Sequence, residues 1–427
     1  MTNNALIRGM LIYGGVTGLS RMLPIILLPL YLSVLTQDEF GRVEILVALY
    51  NFIIIIGCLQ LETAIQRFMY KVESKEVLVY TSSFIIFCFS SLAMVVVSLF
   101  NKEISMLLFD SEVEGFNILI ISITSALFNV ATIFLLYFRY VDKEYTYCAL
   151  SLTQVVITSI ATYVLVVVEE MGNLGYVIGM MSGWLTIIPI SLLIIRTKAP
   201  FSMDFKLLKG CFSYSLPQLP ARFCSFFVQF GNRFIVLMHF GTSSVALLAL
   251  ATKFSAFYQL LHIAFTMAWN PFLYKNEDNK NLNETINKVV VFLVSIIVIT
   301  SIAIHVLGSE IIDYFFIDSY GDVKGLIILA ILPAGLMIVK EVLESGVKLS
   351  GKTKYVSYSY FISAIVTAFL MFISDDIKYV LISSIIGSLT LLLFTYIYSI
   401  RTHKIRYPIR YILALIIYVV GISVFMR

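Results

Sequence analysis

The sequence predicts an all-α polytopic membrane protein with 12–13 transmembrane helices, and three observations predict it. Hydrophobic residues make up 59% of the 427 positions and charged residues only 13%, against roughly 25% charged in a soluble domain. The apolar residues fall in continuous runs that reach the length of about 20 residues needed to cross a bilayer. Lys and Arg crowd into alternate connections between those runs.

Composition comes first because it excludes a soluble fold. A water-exposed surface cannot be built from so few charges, whereas lipid can solvate the outer faces of apolar helices. The formal charge of +4 carries no message by itself. Cys58, Cys88, Cys148, Cys211 and Cys224 are odd in number, lie in apolar stretches and form no CxxC pair. They read as small hydrophobic residues, not as a disulfide framework or a metal site.

The runs come next. Candidate spans lie near 9–35, 43–66, 77–100, 116–138, 146–168, 173–195, 210–238, 244–272, 288–308, 325–347, 356–373, 378–400 and 410–426. Helices are the expected spanning form, because each satisfies its own backbone where no water is present. A barrel would show alternating segments of about 10 residues, and these runs do not alternate. The opening MTNNALIRGM enters an apolar stretch with no A-x-A-like site after it. It is expected to be a first transmembrane helix, not a cleaved signal peptide.

The third observation sets the orientation. With the N-terminus in the cytoplasm, twenty of the 30 Lys and Arg fall on cytoplasmic connections and five outside, with the other five within spans. The outer connections are acidic instead, as in Asp110, Glu112 and Glu114. The connection 196–209, RTKAPFSMDFKLLK, is the most hydrophilic on the cytoplasmic side. It is expected to join an N-lobe (1–195, six spans) to a C-lobe (210–400, six spans), with 401–427 as an extra C-terminal span. The halves look like parallel repeats. Tyr13 precedes Arg21 by eight residues, Tyr214 precedes Arg222 by eight, and prolines interrupt both helices at 24, 29, 217 and 220.

Charges inside spans carry the functional reading. Arg21, Arg222, Arg233, Lys253 and Lys340 each cost roughly 2.5–3.5 kcal/mol at a helix centre. Arg21 and Arg222 are too deep to reach the interface by snorkelling. In the seventh span Gln218, Arg222, Ser225, Gln229 and Arg233 fall within about 80° of one helical face. A stripe of donors with two guanidiniums suits an anionic polar ligand, and the planar fork of Arg suits phosphate. The bland alternative is that these arginines tie helices together through carbonyls. Ser151, Gln154, Thr158 and Thr162 form a neutral stripe in the fifth span that reads as contact between helices. Among acids in spans, Glu344 lies four residues from Lys340 and is expected to neutralise it, with Glu341 beside them. Glu62 lies near the cytoplasmic end of the second span. Lys340, Glu344 and Glu62 are thus candidate gating or ion-pair residues, and Trp269 sits where an interface belt is expected. No GxxxxGK[ST], GxSxG or HExxH occurs, which removes the common signatures of ATP use, acyl transfer and zinc hydrolysis. His239, His262, His305 and His403 are scattered and suggest no metal cluster, so no catalytic residue, metal or cofactor is expected.

The stretch YGGVTGLSRMLPIILLPLYLSVLTQDEFGRVEILVALYNF resembles the N-terminal signature of the polysaccharide flippases. These are the Wzx-like branch of the multidrug/oligosaccharidyl-lipid/polysaccharide exporter superfamily. The shared features are Arg21, Pro29-Leu30-Tyr31, Asp38-Glu39 and Phe40-Gly41. The second half is similar through SYSLPQLPARFCSFFVQFGNRFIVLMHFG, ATKF and AWNPFLYK. The likeness covers roughly residues 8–280. It implies a V-shaped carrier of two six-helix lobes, with Arg21, Arg222, Arg233 and Lys253 holding the diphosphate of an undecaprenyl-linked oligosaccharide. Gln218 and Gln229 would line the same cavity. The partners so implied are the lipid-linked substrate and membrane lipids, with a coupled ion left open, a monomer, no nucleic acid, and a bacterial inner-membrane location. Two alternatives stand beside this. A multidrug antiporter of the same superfamily would bind cations with buried carboxylates. A membrane glycosyltransferase or polymerase would need a sizeable outer loop or catalytic acids.

Overall fold

The computed structural model describes residues 15–427 except 17, 21, 70, 71, 142, 198–200, 278, 280, 317–319, 351, 353, 404 and 427. All regular structure among the described residues is helical. Ten helical runs there are long and apolar enough to cross a membrane, and Gly18–Leu32 and Ile409–Phe425 are shorter apolar helices. One run, Lys206–Lys253, holds the expected span 210–238 and the first part of the expected span 244–272, and between them the chain leaves helical geometry at Gly241 (φ 79°, ψ 179°). Only glycine adopts that conformation without strain.

The chain divides into two compact units, Met1–Phe226 and Phe227–Arg427. The first contains α1 (Leu28–Leu32), α2 (Gln37–Cys58), α3 (Leu61–Phe68), α4 (Lys75–Leu99), α5 (Asn101–Phe109) and α6 (Gly115–Tyr140). It continues with α7 (Glu144–Tyr163, extended by a π turn at Val164–Val168), α8 (Gly172–Arg196) and α9 (Lys206–Ser215). It ends in the start of α10 (Leu219–Lys253).

Local chemistry sets these boundaries. The second expected span begins six residues early, at Gln37, because Thr36 and Glu39 form a reciprocal capping box. The Glu39 carboxylate accepts from Thr36 N at 2.8 Å, and Thr36 Oγ1 accepts from Glu39 N at 3.2 Å. That satisfies donors every helix start leaves open. The helix stops at Leu59 and Gln60, both left-handed (φ 49° and 60°). Ser74 caps α4 through Val77 N at 3.3 Å. Pro217 lies in a 3-10 turn, Leu216–Gln218, between α9 and α10, since a proline ring cannot supply the i→i−4 bond.

The centre of the first unit is α6, which packs on α2, α4, α7 and α8. Its interior face is small and polar. Thr124 and Ser125 bond the carbonyls of Ile120 and Ile121. Asn129 Nδ2 donates to Ser90 Oγ at 3.0 Å and to Ile54 O at 3.3 Å. Gly57 lets the backbones meet there, for a Cβ would lie 2.5 Å from Ser90 Oγ. The neutral stripe of the fifth span has a similar explanation. Gly175, Gly179 and Gly183 of α8 form a small-xxx-small row facing Leu165, Thr162, Thr158 and Gln154. A Cβ on Gly179 would lie 2.7 Å from Thr162 Cα. Close approach of backbones through small residues is a main source of helix affinity in lipid. Gly179→Leu is therefore expected to destabilise the protein by about 1–3 kcal/mol or more, read as a fall in the detergent unfolding midpoint. Gly18→Leu, where a Cβ meets nothing within 4 Å, should leave it unchanged.

The second unit holds the rest of α10, then α11 (Ala256–Lys275), α12 (Leu282–Phe315), α13 (Lys324–Leu343) and α14 (Ser345–Leu349). It ends with α15 (Lys354–Phe372), α16 (Ile377–Thr402) and α17 (Ile409–Phe425). Its centre is α13, which packs on α11, α12, α16 and α17. Against α15, Gly387 of α16 has room for no Cβ beside Thr367, and Ser363 Oγ donates to Gly387 O at 2.8 Å. Trp269, expected at an interface belt, is buried instead. It lies between Phe265 and Phe272, and its Nε1–H donates to Ser345 Oγ at 3.3 Å.

The connection to α17 is pinned by Tyr407. Its hydroxyl bonds Leu343 O at 3.0 Å and Ser399 Oγ at 2.7 Å. Burial pushes the phenol above its ordinary range, against the opposing Ser399 bond. Tyr407→Phe is expected to cost about 1–2 kcal/mol, seen as faster proteolysis near 403–408.

Candidate substrate-binding site

The long helical segment of the seventh span carries most of the predicted ligand-facing residues. It runs from Lys206 through the 3-10 turn to the bend at Gly241. Arg222 lies 16 residues from its start and 19 from the bend. At 1.5 Å per residue that places it about 24 Å and 28 Å from the two ends, deep within a hydrocarbon layer about 30 Å thick. It is exposed, and among the described residues it makes no hydrogen bond or ion pair. A permanently charged group in such a place requires either a ligand or water to solvate it.

The neighbours of Arg222 are aromatic. Phe223 and Phe226 pack at a tilt against Phe52 of α2, with ring centroids 5.9 and 5.5 Å away, which fixes the rotation of the helix in the first unit. About two turns earlier, Arg67 of α3 lies 4.4 Å from the Tyr214 ring. Gln218 is turned back on its own chain, with Nε2 donating to Tyr214 O at 2.9 Å. The 3-10 turn under it also departs from the 100° step assumed for the stripe, so its phase is not that of Arg222.

Gln229 and Arg233 belong to the second unit. Gln229 is exposed, whereas Arg233 is buried at 8% exposure. Its guanidinium reaches Thr252 Oγ1 at 3.5 Å on the arm beyond the bend and lies 5.2 Å from the Phe230 ring. The structure thus brings Arg233 beside the residue preceding Lys253, which is part-buried. Lys340 and Glu344 are in contact as a buried ion pair. Glu62 is in the first unit, part-buried, and accepts from Cys58 Sγ at 2.7 Å. Arg21 and Tyr13 lie outside the described residues. Among the described residues, no group of His, Cys, Asp and Glu could hold a metal ion.

Sequence reasoning missed several buried polar groups. Glu44 of α2, inside the expected span 43–66 but not singled out among its acids, is fully buried. Glu114, counted as an outer-loop acid, is 3% exposed. It accepts from Asn117 at 2.6 Å and Asn173 at 2.9 Å, and faces Arg42 at 3.6 Å. Arg42 in turn bonds Asp38 at 2.7 Å. The Asp38-Glu39-Phe40-Gly41 signature is therefore a helix-start device here: Glu39 caps, Asp38 holds Arg42, and Phe40 enters the core. Lys348, counted on a connection, is drawn into contact with Glu341 and lies 3.6 Å from Glu344. Its spacing of four and seven from the two acids was the signal available in the sequence.

A family profile described as "Polysaccharide biosynthesis protein" matches residues 6–277. The chain belongs to the polysaccharide biosynthesis protein family. The match ends where the resemblance read from the residues also ends. No curated protein sequence matches this polysaccharide biosynthesis protein. Among solved structures it is similar to the lipid II flippase MurJ in an inward closed conformation, at 15% identity, TM-score 0.72 and 96% of each chain covered. It is also similar to the Vibrio cholerae MATE transporter VcmN, at 15% identity and TM-score 0.65, over 94% of this chain and 98% of that one. An inward-facing multidrug resistance MATE family transporter of the MOP superfamily matches at 12% identity and TM-score 0.65, over 90% and 93%. At such identities the likeness is one of fold, and the fold is the multi-pass helical fold of that superfamily.

Proposed function

We propose that this family member is a flippase and not an enzyme. It moves undecaprenyl-diphosphate-linked oligosaccharide repeat units, of O-antigen or capsule type, from the cytoplasmic to the periplasmic leaflet of a bacterial inner membrane. Two lobes, 1–195 and 210–400 joined by 196–209, alternate their opening, with the N-terminus in the cytoplasm. The observation that carries the reading is the exposed guanidinium of Arg222, mid-way along an apolar membrane-length helix with no protein partner among the described residues. Arg21, Arg233 and Lys253 are the further cations assigned to the diphosphate, and Gln218 and Gln229 are assigned to sugar hydroxyls. The protein acts as a monomer.

The energetics agree in sign. A diphosphate carries about two negative charges, and moving one charge across 100 mV is worth about 2.3 kcal/mol. A negative cytoplasm therefore favours outward transfer of the head group. The barrier is passage of head and sugars through hydrocarbon, which a hydrated cationic path lowers while the lipid tail stays in the bilayer.

Deletion of the gene tests the reading. Lipid-linked repeat units should accumulate where membrane-impermeant periodate added outside cannot oxidise them, and surface polysaccharide should fall. Full surface polysaccharide, or intermediates already open to periodate, would defeat it. A multidrug antiporter is the second reading, favoured by Glu44, a carboxylate wholly buried in the first unit. It predicts extrusion of cationic dyes that is lost in Glu44→Gln, whereas the flippase reading predicts no such extrusion.

A further inference from the structure

We infer that His262 and Glu341 form a proton-binding site inside the second unit, distinct from the guanidinium stripe assigned to substrate. The imidazole of His262 on α11 keeps 35% of its side-chain surface accessible. Its Nε2 is nevertheless buried and has no hydrogen-bond partner. That atom lies 3.7 Å from Glu341 Oε2, on a carboxylate only 8% exposed. The separation is too long for a hydrogen bond from a neutral ring and suits an ion pair once the ring is charged.

The surrounding charges are balanced in a way that leaves room for one proton. The helices packed most extensively on α11 are α13 and α14, and Tyr258 of α11 also bonds Ile297 and Thr300 of α12, whose nearest charges toward its start, Glu284 and Lys288, pair with each other at 2.7 Å. The charged groups of α13 and α14 at this level are Lys340 and Glu341, with Glu344 between the helices and Lys348 beyond it. Lys324, the remaining charge of α13, lies at its opposite end in contact with Asp313. Lys340 pairs with Glu344, and Lys348 pairs with Glu341 through Oε1, the oxygen not facing His262. Lys348 also donates to Asn270 Oδ1 of α11 at 3.0 Å. From α15, the Tyr360 ring lies 4.9 Å from Lys340 Nζ. Two ammonium groups and two carboxylates cancel, so the cluster is neutral while His262 is neutral. A proton arriving from the exposed side of the ring and bound at Nε2 makes an imidazolium opposite Glu341 Oε2 and gives the cluster one positive charge. No bond is broken, and release reverses the step. Glu341 is then shared between His262 and Lys348, which tightens α11 against α13 and weakens the hold on α14. Imidazole is the side chain suited to this role, because its charge changes between pH 5 and 8.

The protein carries its own reporter. Trp269 is buried seven residues along α11 from His262 and bonds Ser345, the neighbour of Glu344. Trp184 is the other of the two tryptophans, so Trp184→Phe isolates the signal. The full-length chain in lipid nanodiscs, titrated from pH 8 to 5, should show one transition in Trp269 emission with a one-proton slope. His262→Gln should abolish it. Glu341→Gln should lower its midpoint, since an opposite charge favours the protonated ring. His305→Gln should leave it in place. A flat titration, or a transition that survives His262→Gln, overturns the site. If His262→Gln does not accumulate, an unchanged midpoint in Glu341→Gln overturns it alone. No substrate enters the measurement, so its outcome is independent of the flippase reading.

Discussion

Arg222→Ala is expected to lower surface polysaccharide by about 30- to 100-fold while protein abundance and thermal stability stay unchanged. A hydrogen bond to a charged group contributes about 1.5–3 kcal/mol, and the upper end suits a two-pronged contact between guanidinium and phosphate. Each 1.4 kcal/mol is a factor of ten, which gives the range. The stability half of the expectation separates a ligand-binding role from a structural one. Arg222 is exposed and has no polar partner among the described residues. Removing it breaks no polar contact among the described residues and relieves the insertion cost of a charge. A tie between helices would instead show as a lower unfolding midpoint. Arg222→Lys keeps the charge and loses the fork, so intermediate export is expected. Wild-type export in Arg222→Ala would remove the residue from the substrate path.

The second large effect concerns stability. Glu344→Leu alone is expected to cost about 3–5 kcal/mol, because it strands the buried Lys340 ammonium beside its lost partner. The double change Lys340→Met with Glu344→Leu should recover most of that loss. It removes one charge of each sign and leaves the Lys348–Glu341 contact in place. Replacing a buried pair by apolar groups of similar volume is often neutral or stabilising. Unfolding midpoints of the two singles and the double, in one detergent, measure the coupling. Additive losses would show that each residue is held by other neighbours.

These two sites differ in how far the sequence exposed them. Arg222 stands out because a charge in an apolar run is costly wherever the helix points, and that cost needs no knowledge of neighbours. The pair Lys340 and Glu344 is visible from four-residue spacing on one helix. His262 and Glu341 are 79 positions apart, and no spacing rule connects residues on different helices. Glu114 was misplaced for another reason. It sits near a span end, where hydropathy alone does not separate a solvated acid from one enclosed by Asn117, Asn173 and Arg42. Gly175, Gly179 and Gly183 form a readable row, but that a row of small residues faces the hydroxyl stripe of α7 depends on packing.

The sequence by itself determined the membrane and the helical kind of its spanning elements, and its motifs pointed to the family. The first two follow from transfer free energy and backbone satisfaction, which act segment by segment. Tertiary structure alone decided which polar groups meet. It turned Gln218 onto Tyr214, buried Arg233 against Thr252 across the Gly241 bend, and gathered Lys340, Glu341, Glu344, Lys348 and His262 into one cluster. In a lipid solvent nearly every helix has an apolar face, so hydrophobicity cannot choose its rotation. The choice falls to small-residue contacts and to polar groups that must find one another, and those exist only once the helices are packed.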